Sequence, residues 1–291
     1  MIQPINQKKK IIGAASIVIV FVLIGTLGYT MISSDTISAA QIKSSTLQAA
    51  SNITSYRFTM EMETKTTTSA SLTGASSYTS TFTGTGEVDV SNQKLMMQAT
   101  ISMSMGTTMT MNALYYFLDK AMYMNMDYAG MNQWIKTNMS TNISLWNTYN
   151  QLQSQIALLQ QAKVEKLPDE TINGVPCYVL KITPDITALL TSITNQQGIS
   201  LSQTQIPISS DLIKTYTDMI KSCTVKLWTA KDTNYIMQVN EQITMDMNIM
   251  SMVMSMTIHF TDYNIPLTIE LPAEAANAIP YEEYLKSKQG S

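Results

Sequence analysis

The sequence predicts a mainly antiparallel β domain of the α+β class, held behind one N-terminal membrane-spanning helix. Three observations predict it. An uncharged apolar run lies close to the N-terminus. Apolar and polar residues then alternate strictly over most of the remaining chain. A few stretches replace that alternation with apolar residues three and four apart, the spacing of a helix with one buried side.

From Ile11 to Ile32 the chain runs 22 residues without a charge. As a helix rising about 1.5 Å per residue, that run spans the roughly 30 Å hydrocarbon layer. Lys8, Lys9 and Lys10 flank its start and nothing basic follows until Lys43, so the positive-inside rule expects residues 1–10 in the cytoplasm and everything after the helix outside. The chain is thus expected in the cytoplasmic membrane as a single-pass protein: span 11–32, extracytoplasmic domain 33–280, polar tail 281–291. A cleaved signal peptide is the competing reading, with Ser38-Ala39-Ala40 offering small residues for cleavage. The apolar run is longer than the usual h-region of about 7–15 residues, and no cysteine follows it to accept a lipid.

Thr36 to Asn52 places Ile37, Ile42, Leu47 and Ala50 at roughly helical intervals. Tyr56, Phe58, Met60 and Met62 then alternate with Arg57, Thr59, Glu61 and Glu63, the period-two pattern of a strand with one buried face. The same rhythm runs through Tyr78, Phe82, Val88 and Val90, where Gly84 and Gly86 on the apolar side suggest a bend or bulge. It continues through Met97, Ile101, Met103 and Met105, and through Met109, Met111, Ala113, Tyr115 and Phe117. After a tight turn at Asp119-Lys120 it resumes at Met122, Met124 and Met126.

Asn142 to Ala162 changes to helical spacing, with Ile143, Trp146, Tyr149, Leu152, Ile156 and Leu159 on one side. Asn173-Gly174 marks a turn before a strand from Val175 to Thr183, and Pro184 sits where a helix tolerates proline. Asp211 to Lys221 reads as a further helix after the polar segment 195–210. Val225 and Leu227 open the last sheet section, followed by two long alternating strands, Tyr235 to Ile249 and Met250 to Phe260. Pro266 and Pro272 bracket an expected short edge segment, and the tail has weak helical character.

These segments together resemble the LolA/LppX-like lipoprotein superfamily. The echoes are Tyr56-Arg57-Phe58, Tyr115-Tyr116, Trp134-Ile135-Lys136, Asn173-Gly174 before Tyr178-Val179-Leu180, Leu227-Trp228, Asp262-Tyr263-Asn264-Ile265-Pro266 and Ile269-Glu270-Leu271-Pro272. None is a catalytic fingerprint, and the resemblance is one of layout from about Thr36 to Pro280. It implies a curved antiparallel half-barrel whose concave face is closed by helices, enclosing an apolar cavity for acyl chains. Where bacterial members often carry a lipidated cysteine, the first cysteine here is Cys177, so the tether would be the helix itself. A tethered carrier cannot diffuse between membranes, which favours local lipid binding, hand-off or sensing.

Composition narrows the function classes. Charged residues are only 13%, the formal net charge is −3 and no Lys/Arg block occurs beyond Lys8-Lys9-Lys10, so neither a polyanion-binding face nor an acidic tail can be argued and nucleic acid is not an expected partner. Methionine is the outlier, with 23 copies against 5 Phe. Three readings compete for it. Unbranched, polarizable Met fills irregular cores, and the same softness suits a cavity for flexible chains. Thioethers also bind Cu(I), and Met122, Met124, Met126 and the Met250 to Met256 run stack sulfurs on one side; dispersal of the Mets and the opposite parity of the single histidine, His259, weigh against it. The expected lipid-lining residues are Phe58, Met60, Met62, Phe82, Met103, Met105, Met109, Met111, Phe117, Met122, Met124, Met126, Leu227, Met237, Met245, Met252, Met254 and Met256. A structural or interaction domain filled by its own side chains is the alternative.

Cys177 and Cys223 lie at opposite ends of strands expected to pair, with opposite parity, which disfavours a disulfide. Asn52, Asn138 and Asn142 begin glycosylation sequons. The sequence holds no phosphate-binding glycine loop, no G-x-S-x-G and one histidine, so a binding protein without catalysis or cofactor is expected.

Overall fold

The computed structural model describes residues 37–68, 76–128, 131–138, 146, 150–186, 210–247 and 249–289. The apolar run 11–32 and the sequon at Asn142 lie outside the described residues. Among the described residues no helix is long and apolar enough to cross a membrane.

The alternating segments all become strands: β1 (Ser55–Thr68), β2 (Ser76–Asp89), β3 (Lys94–Met105), β4 (Thr107–Leu118), β5 (Ala121–Tyr128), β8 (Val175–Thr183), β9 (Ile220–Ala230), β10 (Ile236–Asp246) and β11 (Met250–Thr261). Three more join them: β6 (Met131–Asn138), β7 (Lys163–Ile172) and the two-residue β12 (Ile279–Pro280). The described residues form one open, curved, 12-stranded sheet in the order β12-β6-β5-β4-β3-β2-β1-β11-β10-β9-β8-β7. Every pairing is antiparallel except the short parallel contact of β12 with β6.

The order is two meanders sewn together. β1 to β6 step outward one way, β7 to β11 return from the other edge, and β11 lands on β1 from Arg57↔Thr261 to Thr68↔Met250. Two-residue turns make the tight hairpins. Asp119 and Lys120 (φ 51 and 59) join β4 to β5, and Asn173 and Gly174 (φ 50 and 83) join β7 to β8, the left-handed pair that matches strand twist.

Gly84 and Gly86 introduce no bulge, since β2 keeps register with both neighbours throughout. Their missing side chains make room instead. A Cβ on Gly86 would stand 2.4 Å from the Phe58 ring, and one on Gly84 3.0 Å from the Phe82 ring. The proline-bracketed segment between Pro266 and Pro272 is not a strand either; each proline lacks the N–H an edge pairing needs.

Helices cover one face of the sheet. They are α1 (Ala39–Ala50), α2 (Gln151–Gln161) and α3 (Ser210–Met219), with α4 (Tyr281–Gln289) beside the β6 and β12 edge. Ser38 and Gln41 cap α1 reciprocally in a capping box. A buried contact between the Thr46 and Thr229 hydroxyls, 3.2 Å, fixes α1 over β9. The principal core lies between α1, α2 and the inner face, around Tyr56, Phe58, Met60, Leu158, Leu227, Ile258 and Phe260. A small second core of Cys177, Val179 and Trp228 lies on the outer face.

Candidate site on the inner face of the sheet

Register decides which side chains share the inner face, because partners across a ladder point the same way. Met60 stands beside Gly84, Ala99, Ala113 and Met126 in one direction and Ile258, Val239, Leu227 and Leu180 in the other. One row on, Met62 stands beside Phe82, Ile101 and Met111 on one side and Met256, Glu241 and Val225 on the other. The next row pairs Met103 with Met109.

These rows differ in what covers them. Phe58, Met60, Phe82, Phe117 and Leu227 are buried in the principal core. Met245, Met252 and Met254 are buried in a neighbouring cluster with Ile243, against which Met219 of α3 packs. Met256 is buried and Met62 half-buried between the two. Toward the tip of the β3–β4 hairpin exposure rises among the described residues. Met103 is 37% exposed and Met109 49%, while Ile101 and Met111 are half-buried. Met122, Met124 and Met126 on β5 are half-buried too.

Of the expected lining, the structure therefore brings together an open group of Met residues on β3, β4 and β5 and a packed group on β1, β2, β9, β10 and β11 that also takes in Phe117 of β4. The side chain of Met105 lies outside the described ones. Met237 joins neither group. The register shift between Ile236 and Gln238 turns it to the outer face, where it packs against Cys177, Val179 and Trp228.

One polar pair interrupts the inner face. Glu241, 3% exposed, lies between Val239 and Ile243 on β10, and the Gln155 amide of α2 donates to its carboxylate at 3.0 Å. Burial pushes the Glu241 carboxyl up to about 7, with a smaller opposing pull from that hydrogen bond. Sequence reasoning passed over both residues. Both were detectable, Glu241 because it carries the parity of Val239, Ile243 and Met245, and Gln155 because it lies three residues after Leu152 and four before Leu159 on the apolar side of the helix. Tyr56 hangs the helix. Its hydroxyl donates to Asn150 Oδ1 at 2.7 Å and accepts from the Leu152 N–H at 3.1 Å, while Asn150 caps α2 through the Gln153 N–H.

Cys177 and Cys223 are free thiols, and they lie on opposite faces as expected, Cys223 beside Ile243 and Cys177 in the outer core. His259 pairs in register with Thr59 and Gln238, on the opposite face from Met256 and Ile258. Among the described residues no group of three or more His, Cys, Asp or Glu could hold a metal ion.

Several solved structures are similar to this chain at low sequence identity. LprF from Mycobacterium bovis is 14% identical, with a TM-score of 0.44 over 81% of this chain and 97% of its own. The Mycobacterium tuberculosis lipoprotein LppX is 12% identical, with a TM-score of 0.39 over 81% and 100%. A LolA superfamily protein from Nitrosomonas europaea is 10% identical, with a TM-score of 0.21 over 81% and 96%. No curated protein matches the chain in sequence. Residues 38–279, which comprise every strand but the last residue of β12, match the model of a family of unknown function (DUF6612), and the chain belongs to that family.

Proposed function

We propose that this chain is a membrane-tethered, extracytoplasmic binding module that takes an apolar acyl-chain ligand on the open, thioether-lined part of its inner face. The observation that carries this reading is the exposure of Met103 and Met109, register partners on the face that elsewhere forms the core. Large apolar side chains exposed to water side by side favour an apolar partner, at about 25 cal/mol per Å² removed from water. Methionine suits a ligand of variable shape because it repacks at little cost. The residues of this part are thioethers, aliphatic groups and hydroxyls, so the reading is binding without catalysis. The tether rests on the uncharged run from Ile11 to Ile32 and the lysines before it.

Native mass spectrometry of the full chain, extracted in mild detergent, tests this. A co-purifying lipid mass is expected, together with uptake of a fluorescent acyl probe. Changing Met103 and Met109 to Asp should weaken uptake at least about tenfold, because a charge beneath an apolar chain costs more than the 1.4 kcal/mol that a tenfold change represents. A clean unliganded mass with no probe uptake by the parent chain would overturn the reading.

A further inference from the structure

The inner face has a polar end, and that end is incomplete. Gln155 is fully buried. Its Nε2 donates to Glu241, and its Oε1 is buried with no hydrogen-bond partner among the described residues. A buried acceptor without a donor has lost its hydration with no bond in exchange. The ladder neighbours of Glu241 are Met256 and Val225, which supply no polar group.

The same register row leads from this pair to the open part of the face. Glu241, Met256, Met62, Phe82, Ile101 and Met111 succeed one another across β10, β11, β1, β2, β3 and β4. Five strand spacings of about 4.8 Å make roughly 24 Å along the sheet. The row is apolar from its second member onward, with two hydrogen-bond acceptors gathered at its buried end.

We propose that Gln155 and Glu241 are the head-group end of the binding site. An amphiphile enters polar end first and sets a hydrogen-bond donor, a hydroxyl or an ammonium, between Gln155 Oε1 and the Glu241 carboxylate. Its chain lies along the row toward Met111, with the buried Met256 and Phe82 side chains repacking to admit it. This rests on the acyl-chain reading and adds to it a direction and a head-group class. A donor head fills the vacant valence, and an ammonium also meets the carboxylate with opposite charge. An ester head offers only acceptors to acceptors and leaves the pair unfilled.

The test is displacement of an apolar fluorescent reporter from the full chain, held in amphipol, by hexadecanol, hexadecylamine and methyl hexadecanoate. The alcohol and the amine are expected to bind at least about tenfold tighter than the ester, the usual scale for pairing a buried polar group against leaving it unpaired. Replacing the pair with thioethers, Gln155→Met with Glu241→Met, should bring all three to the ester's affinity. Glu241→Gln should keep the preference for the alcohol and lose that for the amine. Equal affinity of the parent chain for all three overturns this inference and leaves the acyl-chain reading standing. Displacement by none of them overturns both.

Discussion

A carboxyl group held at about 7 inside an apolar face makes stability depend on pH, and the sign comes from the two states. Glu241 protonates near 4.5 in the unfolded chain and near 7 in the folded one, so the folded state holds its proton more tightly. The contribution is complete below about 4.5 and is lost as pH rises through about 7; a shift of that size is worth roughly 3 kcal/mol. Cys223, the titratable neighbour, is pushed up to about 12 by burial and by the Glu241 charge, and it stays neutral over that window. Urea unfolding of the full chain should therefore show higher stability at pH 5 than at pH 8, with Glu241→Gln levelling the two; no difference in the parent chain would mean that the carboxyl is solvated. Gly86 gives a second test at this scale. Alanine there meets the Phe58 ring and the Met96 carbonyl, at 2.4 and 2.9 Å from the added Cβ. Gly86→Ala should cost about 1–3 kcal/mol, partly recovered by pairing it with Phe58→Leu in a double-mutant cycle, since the Met96 carbonyl contact stays. Gly86 was legible as an inward-facing position, but its role as a seat for a ring was not. A ring crossing to the neighbouring strand depends on which strand that neighbour is.

At the scale of elements, α2 hangs from one hydroxyl. Tyr56 is fully buried, and its hydroxyl meets both the cap residue Asn150 and the Leu152 N–H. Tyr56→Phe keeps the ring in the core and removes both bonds, leaving a buried N–H unpaired at a cost of about 1–3 kcal/mol. Amide exchange should quicken first at the start of α2, and head-group preference should fall with it, since Gln155 lies one turn further on. Unchanged exchange there would show that packing alone holds the helix. The elements that the sequence displays poorly have physical reasons for it. β6 buries Trp134 and Ile135 on opposite faces, the indole against Tyr116 and the Ile beside Met124, so no alternation survives to be read. β7 is an edge, with Lys163, Glu165, Lys166 and Asp169 along it, Pro168 within it and a register shift between Leu167 and Glu170. Such features blunt an edge against further pairing, and they also hide a strand. Most of the nine alternating strands lay open because one face is in a core and the other in water, while β8 and β9 add Val179 and Trp228 to the outer core.

The whole molecule turns on the seam between β1 and β11. Local alternation announces two families of strands, but it does not say that the last long strand returns to the first. That closure joins residues roughly two hundred positions apart, from Arg57↔Thr261 to Thr68↔Met250. Asn264 supports the closure, accepting from the Thr54 N–H at 2.7 Å through its side chain while its own N–H donates to the Ser55 carbonyl at 2.9 Å. The seam sets the inner face as well, since it places Met256 beside Met62 and so joins the polar pair on β10 to the open thioethers on β4 in one row. β1 and β11 have hydrogen-bonded neighbours on both sides, whereas β7 ends the sheet at one edge and β6 is covered by only two residues of β12 at the other. Amides inside a sheet open with global unfolding, and those at an edge open locally. Hydrogen exchange on the full chain should therefore find the slowest amides in β1 and β11 and the fastest strand amides in β7 and β6. Exchange in β1 as quick as in β7 would mean that the two meanders are not joined, and the row leading from Glu241 to Met111 would not exist.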